Sequence, residues 1–119
     1  MLEHSDNTES LTSRLVRAQE AHTPTPSFFE TRVRYRLYTE NMDNLIVLVS
    51  RYFFGATIIP SIGVWKGETE LSTVIEILGA HTDLQRIMDL AGDIRVTNKQ
   101  DAVYVTRELV HFREVNASV

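Results

Sequence analysis

At 119 residues the chain is one domain with room for a terminal tail, and its 43% hydrophobic content is that of an ordinary globular protein. A formal net charge of −4 supplies no general field for recruiting nucleic acid. The absence of cysteine excludes disulfides and thiolate zinc sites and makes a cytoplasmic location the simplest fit. No apolar run approaches the roughly 20 residues of a membrane span, and no signal peptide opens the chain.

Residues 1–27 read as a flexible polar tail, closed by Thr23-Pro24-Thr25-Pro26, whose prolines resist both helix and sheet. Leu11, Leu15 and Ala18 can share one helical face, so a short helix between residues 10 and 20 is compatible with this reading. Residues 28–119 form the folded domain. From Thr31 to Tyr38 the chain alternates, with Val33, Tyr35 and Leu37 on one side and Arg32, Arg34 and Arg36 on the other, the period of a half-buried strand. Thr39-Glu40-Asn41 can start a helix, and Asp43 falls where a helix dipole favours an anion. Leu45, Leu48, Val49, Tyr52 and Phe53 recur at helical spacing before Gly55 ends the run.

A second strand is expected over Thr57 to Trp65, where Pro60 implies an edge position or a bulge. The Lys66-Gly67 turn reverses the chain, and Glu70 to Leu78 is a third strand. Thr82-Asp83-Leu84-Gln85 resembles a capping box, and Leu84, Ile87, Met88, Ala91 and Ile94 form the apolar stripe of a second helix. Ala102 to Thr106 is a fourth strand, and Leu109 to Val115 either extends it or adds a fifth. The order β-α-β-β-α-β predicts an α+β, ferredoxin-like sandwich, one antiparallel sheet with two helices on one face.

Helices on one face leave the other face of the sheet open to water or to another subunit. The third and fourth strands carry apolar residues on both sides, so that open face is expected to meet something: a homo-oligomer interface, a ligand pocket between subunits, or both. The arginine row of the first strand is either an anion site or a solvated row paired with acids, Glu76 being a candidate partner.

The chemistry concentrates at Gly63-Val64-Trp65-Lys66-Gly67-Glu68-Thr69-Glu70. Glu68 and Glu70 stand two apart; such carboxylates perform acid/base work, grip a cation, or are simply solvated at a hairpin tip. Trp65 offers a π face to a base or a cationic group, or serves as a packing residue. Gln100 and Asp101 enter the fourth strand and either fix a ligand's polar edge or cap the strand start. The histidines His4, His22, His81 and His111 show no metal-ligand spacing. No Ser/His/Asp order, glycine-rich phosphate loop or deaminase signature is present.

The Gly63–Glu70 run, the hydrophobic strand after it, the helix ending near Arg95, and Gln100-Asp101-Ala102-Val103-Tyr104-Val105 together resemble the phage-encoded S-adenosylmethionine-degrading enzymes, long called hydrolases and better described as lyases. The likeness covers residues 31–110 in element order and is specific at the Gly-aromatic-Lys turn with its following Glu and at the Gln/acid entry to a Val-x-Val strand. The resemblance implies a homotrimer of ferredoxin-like subunits with sites between neighbours. It implies no cofactor and no metal, and S-adenosylmethionine as the partner rather than nucleic acid or membrane. It further implies a reaction in which the substrate's own carboxylate attacks its γ-carbon, giving methylthioadenosine and homoserine lactone. Glu70, with Glu68 second, would then be the catalytic carboxylate that holds the α-ammonium. Trp65, Tyr52, Tyr104 and Gln100 would bind the substrate, with the family's tyrosine falling on Tyr35, Tyr38, Tyr52 or Tyr104. Two rival readings compete with it: a trimeric nucleotide-binding signalling module without turnover, and a phage–host interaction protein.

Overall fold

The computed structural model describes residues 28–116. The expected tail, the short helix within it and the last three residues lie outside that range.

Strand β1 spans Glu30–Glu40 and has a neighbouring strand on each side, and alternation along it puts Val33, Tyr35 and Leu37 inside the core at 2%, 0% and 0% exposure. Strands β2 (Thr57–Trp65), β3 (Glu68–Gly79) and β4 (Tyr104–Phe112) complete one sheet in the order β2-β3-β1-β4, with every neighbouring pair antiparallel. Helix α1 (Leu45–Ser50) follows β1, and a 3₁₀ turn at His81–Asp83 leads into helix α2 (Leu84–Thr97) after β3. This is an α+β chain with one four-stranded antiparallel sheet and two helices, compatible with the ferredoxin-like arrangement.

The core lies between the helices and one face of the sheet. Leu45, Leu48 and Val49 of α1 and Ile87, Leu90, Ala91 and Ile94 of α2 pack with Val33, Tyr35 and Leu37 of β1 and Ile75 and Ile77 of β3. Val103, Val105 and Leu109 close it from the β4 side. Tyr35 is wholly buried, and its hydroxyl donates to the Ala80 carbonyl at 2.7 Å, which satisfies the one polar atom it takes inside.

Several sequence expectations are corrected here. Thr39 and Glu40 do not open a helix: they continue β1, paired with Thr73 and Ser72, and the Asn41 N–H reaches the Leu71 carbonyl. Helix α1 therefore starts only at Leu45, after a left-handed Asn44 (φ 59°), and Asp43 stands outside it. Ladder pairing across the sheet outweighs the local cap signal, since helix propensity is a weak prior against tertiary contacts. The capping box proposed at Thr82-Asp83 is also displaced. Asp83 accepts from the Ala80 N–H at 2.9 Å, while its own N–H donates to the Ala80 carbonyl at 3.0 Å. In α2, Met88 points outward at 48% exposure, and Leu90 takes the buried place. Strand four begins at Tyr104 rather than Ala102, and the Leu109 segment extends it to Phe112 without adding a fifth strand. Strand β3 starts two residues earlier than expected, directly at Glu68.

Other expectations hold. Strand β2 has the predicted bounds and is an edge strand, which accommodates Pro60. The hairpin turn uses Lys66 and Gly67 at φ 53° and 82°, the two-residue left-handed pair that matches the twist of the flanking strands. The arginine row is an ion-pair row: Arg36 meets Glu76 at 2.8 Å, Arg34 meets Glu108 at 2.7 Å and Arg32 meets Glu30 at 2.6 Å.

Candidate functional site

The register fixes what stands on the face of the sheet turned away from the helices. Residues alternate, so Ile59, Ser61, Gly63 and Trp65 of β2 share that face with Glu70, Ser72, Val74 and Glu76 of β3. Tyr38 and Glu40 of β1 and Tyr104 of β4 join them through the pairs Tyr38↔Val74, Glu40↔Ser72 and Tyr38↔Tyr104. An apolar row, Ile59-Val74-Tyr38-Tyr104, thus crosses the whole sheet. The ion pair Arg36–Glu76 runs along one side of it, and a polar row, Ser61-Ser72-Glu40, along the other.

Beyond the apolar row, toward the β2–β3 hairpin, lies a groove of about 600 Å³. Its acidic lining is Glu40, Glu70 and Asp101, its aromatic lining is Tyr38, Trp65 and Tyr104, and among the described residues no lysine, arginine or histidine lines it. The Ser61 and Ser72 hydroxyls are hydrogen-bonded to each other at 2.8 Å in this region. Trp65 and Tyr104 are 66% and 70% exposed, which leaves the Tyr104 ring and the side of Trp65 away from Lys66 open to a ligand. The Lys66 ammonium stands 5.6 Å from the Trp65 ring centroid, so one side of this ring already carries a cation of the chain itself.

The groove brings together four of the six residues named from sequence: Glu70, Trp65, Tyr104 and Gln100. Gln100 differs in role from the others. It is 5% exposed, its carbonyl oxygen accepts from the Thr39 hydroxyl at 2.8 Å and from Asn98 at 2.6 Å, and its amide donates to the Ala102 carbonyl at 2.9 Å. Gln100 therefore pins the connector before β4 to the end of β1, and it shapes the groove from beneath. Glu68 stands exposed at the first position after the turn, outside the groove lining.

Tyr52 is elsewhere. It lines a separate depression of about 340 Å³ with Arg51, Phe53, Phe54, Asp83 and Arg86. Its hydroxyl donates to Asp93 at 2.9 Å, and that carboxylate raises its pKa by favouring the neutral phenol. The sequence reading missed Glu40, Ser61 and Ser72. Glu40 was legible in principle, since it continues the two-residue period of Tyr38, but only the strand's true end shows that it points the same way. Among the described residues no group of His, Asp and Glu is placed to hold a metal ion, and no helix is long and apolar enough to cross a membrane.

The chain matches no protein-family model and no curated protein.

Proposed function

We propose that the protein is an S-adenosylmethionine lyase, acting as a homotrimer of ferredoxin-like subunits in which the open sheet face and its groove lie at the subunit boundary. The observation that carries this reading is the groove's chemistry: carboxylates and aromatic rings with no basic side chain among the described lining residues. Such a lining favours a cation that also presents a flat π system, and S-adenosylmethionine is a sulfonium with an α-ammonium and an adenine.

The same lining suits the reaction. With no basic side chain among the described lining residues to pair with it, the substrate carboxylate remains available as a nucleophile. One of its oxygens forms a bond to the γ-carbon as the γ-carbon–sulfur bond breaks. The bonding electron pair passes to sulfur, the sulfonium becomes the neutral thioether of methylthioadenosine, and homoserine lactone keeps the ammonium. No proton is transferred. Because carboxylate and sulfonium charges cancel in the transition state, a site walled by aromatic rings favours the transition state over the charged ground state. The attack is intramolecular, so folding the methionine chain into its cyclic geometry supplies an effective molarity on the order of 10⁵ M or more. Glu70 holds the ammonium and fixes that geometry; Trp65, Tyr38 and Tyr104 seat the adenine and the sulfonium.

The test is incubation of the purified protein with S-adenosylmethionine, with products read by mass spectrometry in ¹⁸O-labelled water. Methylthioadenosine with unlabelled homoserine lactone supports the lyase reading. Homoserine formed directly with one solvent oxygen replaces it with hydrolysis. Binding of nucleotides without any product favours a non-catalytic binding module.

A further inference from the structure

Gly63 occupies a regular position of β2, paired with Glu70. Glycine weakens a strand interior, having no side chain to pack and more backbone freedom to lose, so its presence asks for a reason. The backbone supplies none, because Gly67 is the glycine with positive φ among the described residues. Packing supplies none either: a Cβ at position 63 would stand 3.6 Å from Glu70 Cγ, 3.8 Å from Glu70 Oε2 and 3.7 Å from Ser72 Oγ, all ordinary contacts. What a side chain would do is cover the Glu70 carboxylate. Its absence leaves a notch in the sheet surface over Glu70, bordered by the Ser61–Ser72 hydroxyl pair on one side and by Trp65, two residues along β2, on the other.

We propose that Gly63 is a specificity-determining position: the notch it leaves over Glu70 is the seat of the ligand's primary ammonium. This rests on the reading of the groove as a cation site. The hydroxyl pair and the carboxylate offer acceptors to a protonated amine, which donates hydrogen bonds; a quaternary ammonium donates none.

The experiment uses the full chain and its Gly63→Ala and Gly63→Val variants, and reads three quantities. Melting temperature reports the fold, and valine, a strong strand former, is expected not to lower it. The KM for S-adenosylmethionine is expected to rise by about tenfold or more in Gly63→Val, by less in Gly63→Ala, with kcat changing less than KM. Independently of any turnover, NMR titration with methylammonium is expected to perturb the Gly63 and Glu70 amides, Gly63→Val to abolish that response, and tetraethylammonium to produce none. A folded Gly63→Val protein that keeps the wild-type methylammonium response overturns the proposal. Loss of that response in Gly63→Val, in a protein that does not convert S-adenosylmethionine, supports the notch and removes the substrate assignment.

Discussion

Glu70 is the side chain on which the proposed reaction most depends, and its exposed position in the groove makes it testable without harm to the core. Replacing Glu70 by Gln removes a charged hydrogen-bond acceptor worth about 1.5–3 kcal/mol, so kcat/KM for S-adenosylmethionine is expected to fall by about 10- to 150-fold with the melting temperature unchanged. Full turnover in that variant would remove Glu70 from the mechanism. Tyr35 supplies a pH prediction. Burial pushes its phenol pKa up, and nearby Arg107 partly offsets this. A raised pKa means that the neutral form is preferred in the folded state. Its contribution is therefore complete below the ordinary value of about 10 and is lost as the pH rises through the raised value. Thermal melts between pH 9 and 12 should show falling stability, and Tyr35→Phe should flatten that fall while costing about 1 kcal/mol at neutral pH for the lost bond to Ala80.

Helix α2 and its junction with β3 show how neighbouring elements decide which residues matter. A simple helical stripe places Met88 inside, yet Leu90 is the residue with 0% exposure and Met88 has 48%. Leu90→Ala is accordingly expected to cost about 2–5 kcal/mol in denaturant melts, whereas Met88→Ala should fall within about 0.5 kcal/mol of the parent. The link between β3 and α2 depends on Gly79. A Cβ there would come within 2.6 Å of Asp83 Oδ2, the oxygen that accepts from the Ala80 N–H. Gly79→Ala must displace that carboxylate, and a loss of about 1 kcal/mol is the expected reading; an unchanged melting temperature would show that Asp83 relaxes freely.

Taken whole, the molecule has one well-filled side and one bare side. Tyr38, Ile59, Leu78 and Tyr104 all stand at 38% exposure or more on the sheet face away from the helices. The proposed trimer covers this face, so sedimentation should find a species of three times the chain mass, and Tyr104→Asp should shift it toward the monomer. Among the described residues the core assembles from residues between Val33 and Leu109. From the polar composition of residues 1–27, their deletion is expected to preserve the cooperative melt, and loss of that melt would mean that the segment contributes to stability.

The alternation of Val33, Tyr35 and Leu37, the bounds of β2, the Lys66-Gly67 turn and the order of elements were all readable along the chain. Each depends on local periodicity or on backbone conformations that few residues adopt. Glu70, Trp65 and Tyr104 were also recognisable as chemistry-bearing. That Glu40 and Ser72 stand beside them, that Tyr52 stands apart, and that Gln100 is consumed by Thr39, Asn98 and Ala102 follows from strand register and from where β1 ends. Register is settled by packing between segments distant in sequence, and a shift of one residue would turn every groove side chain to the other face.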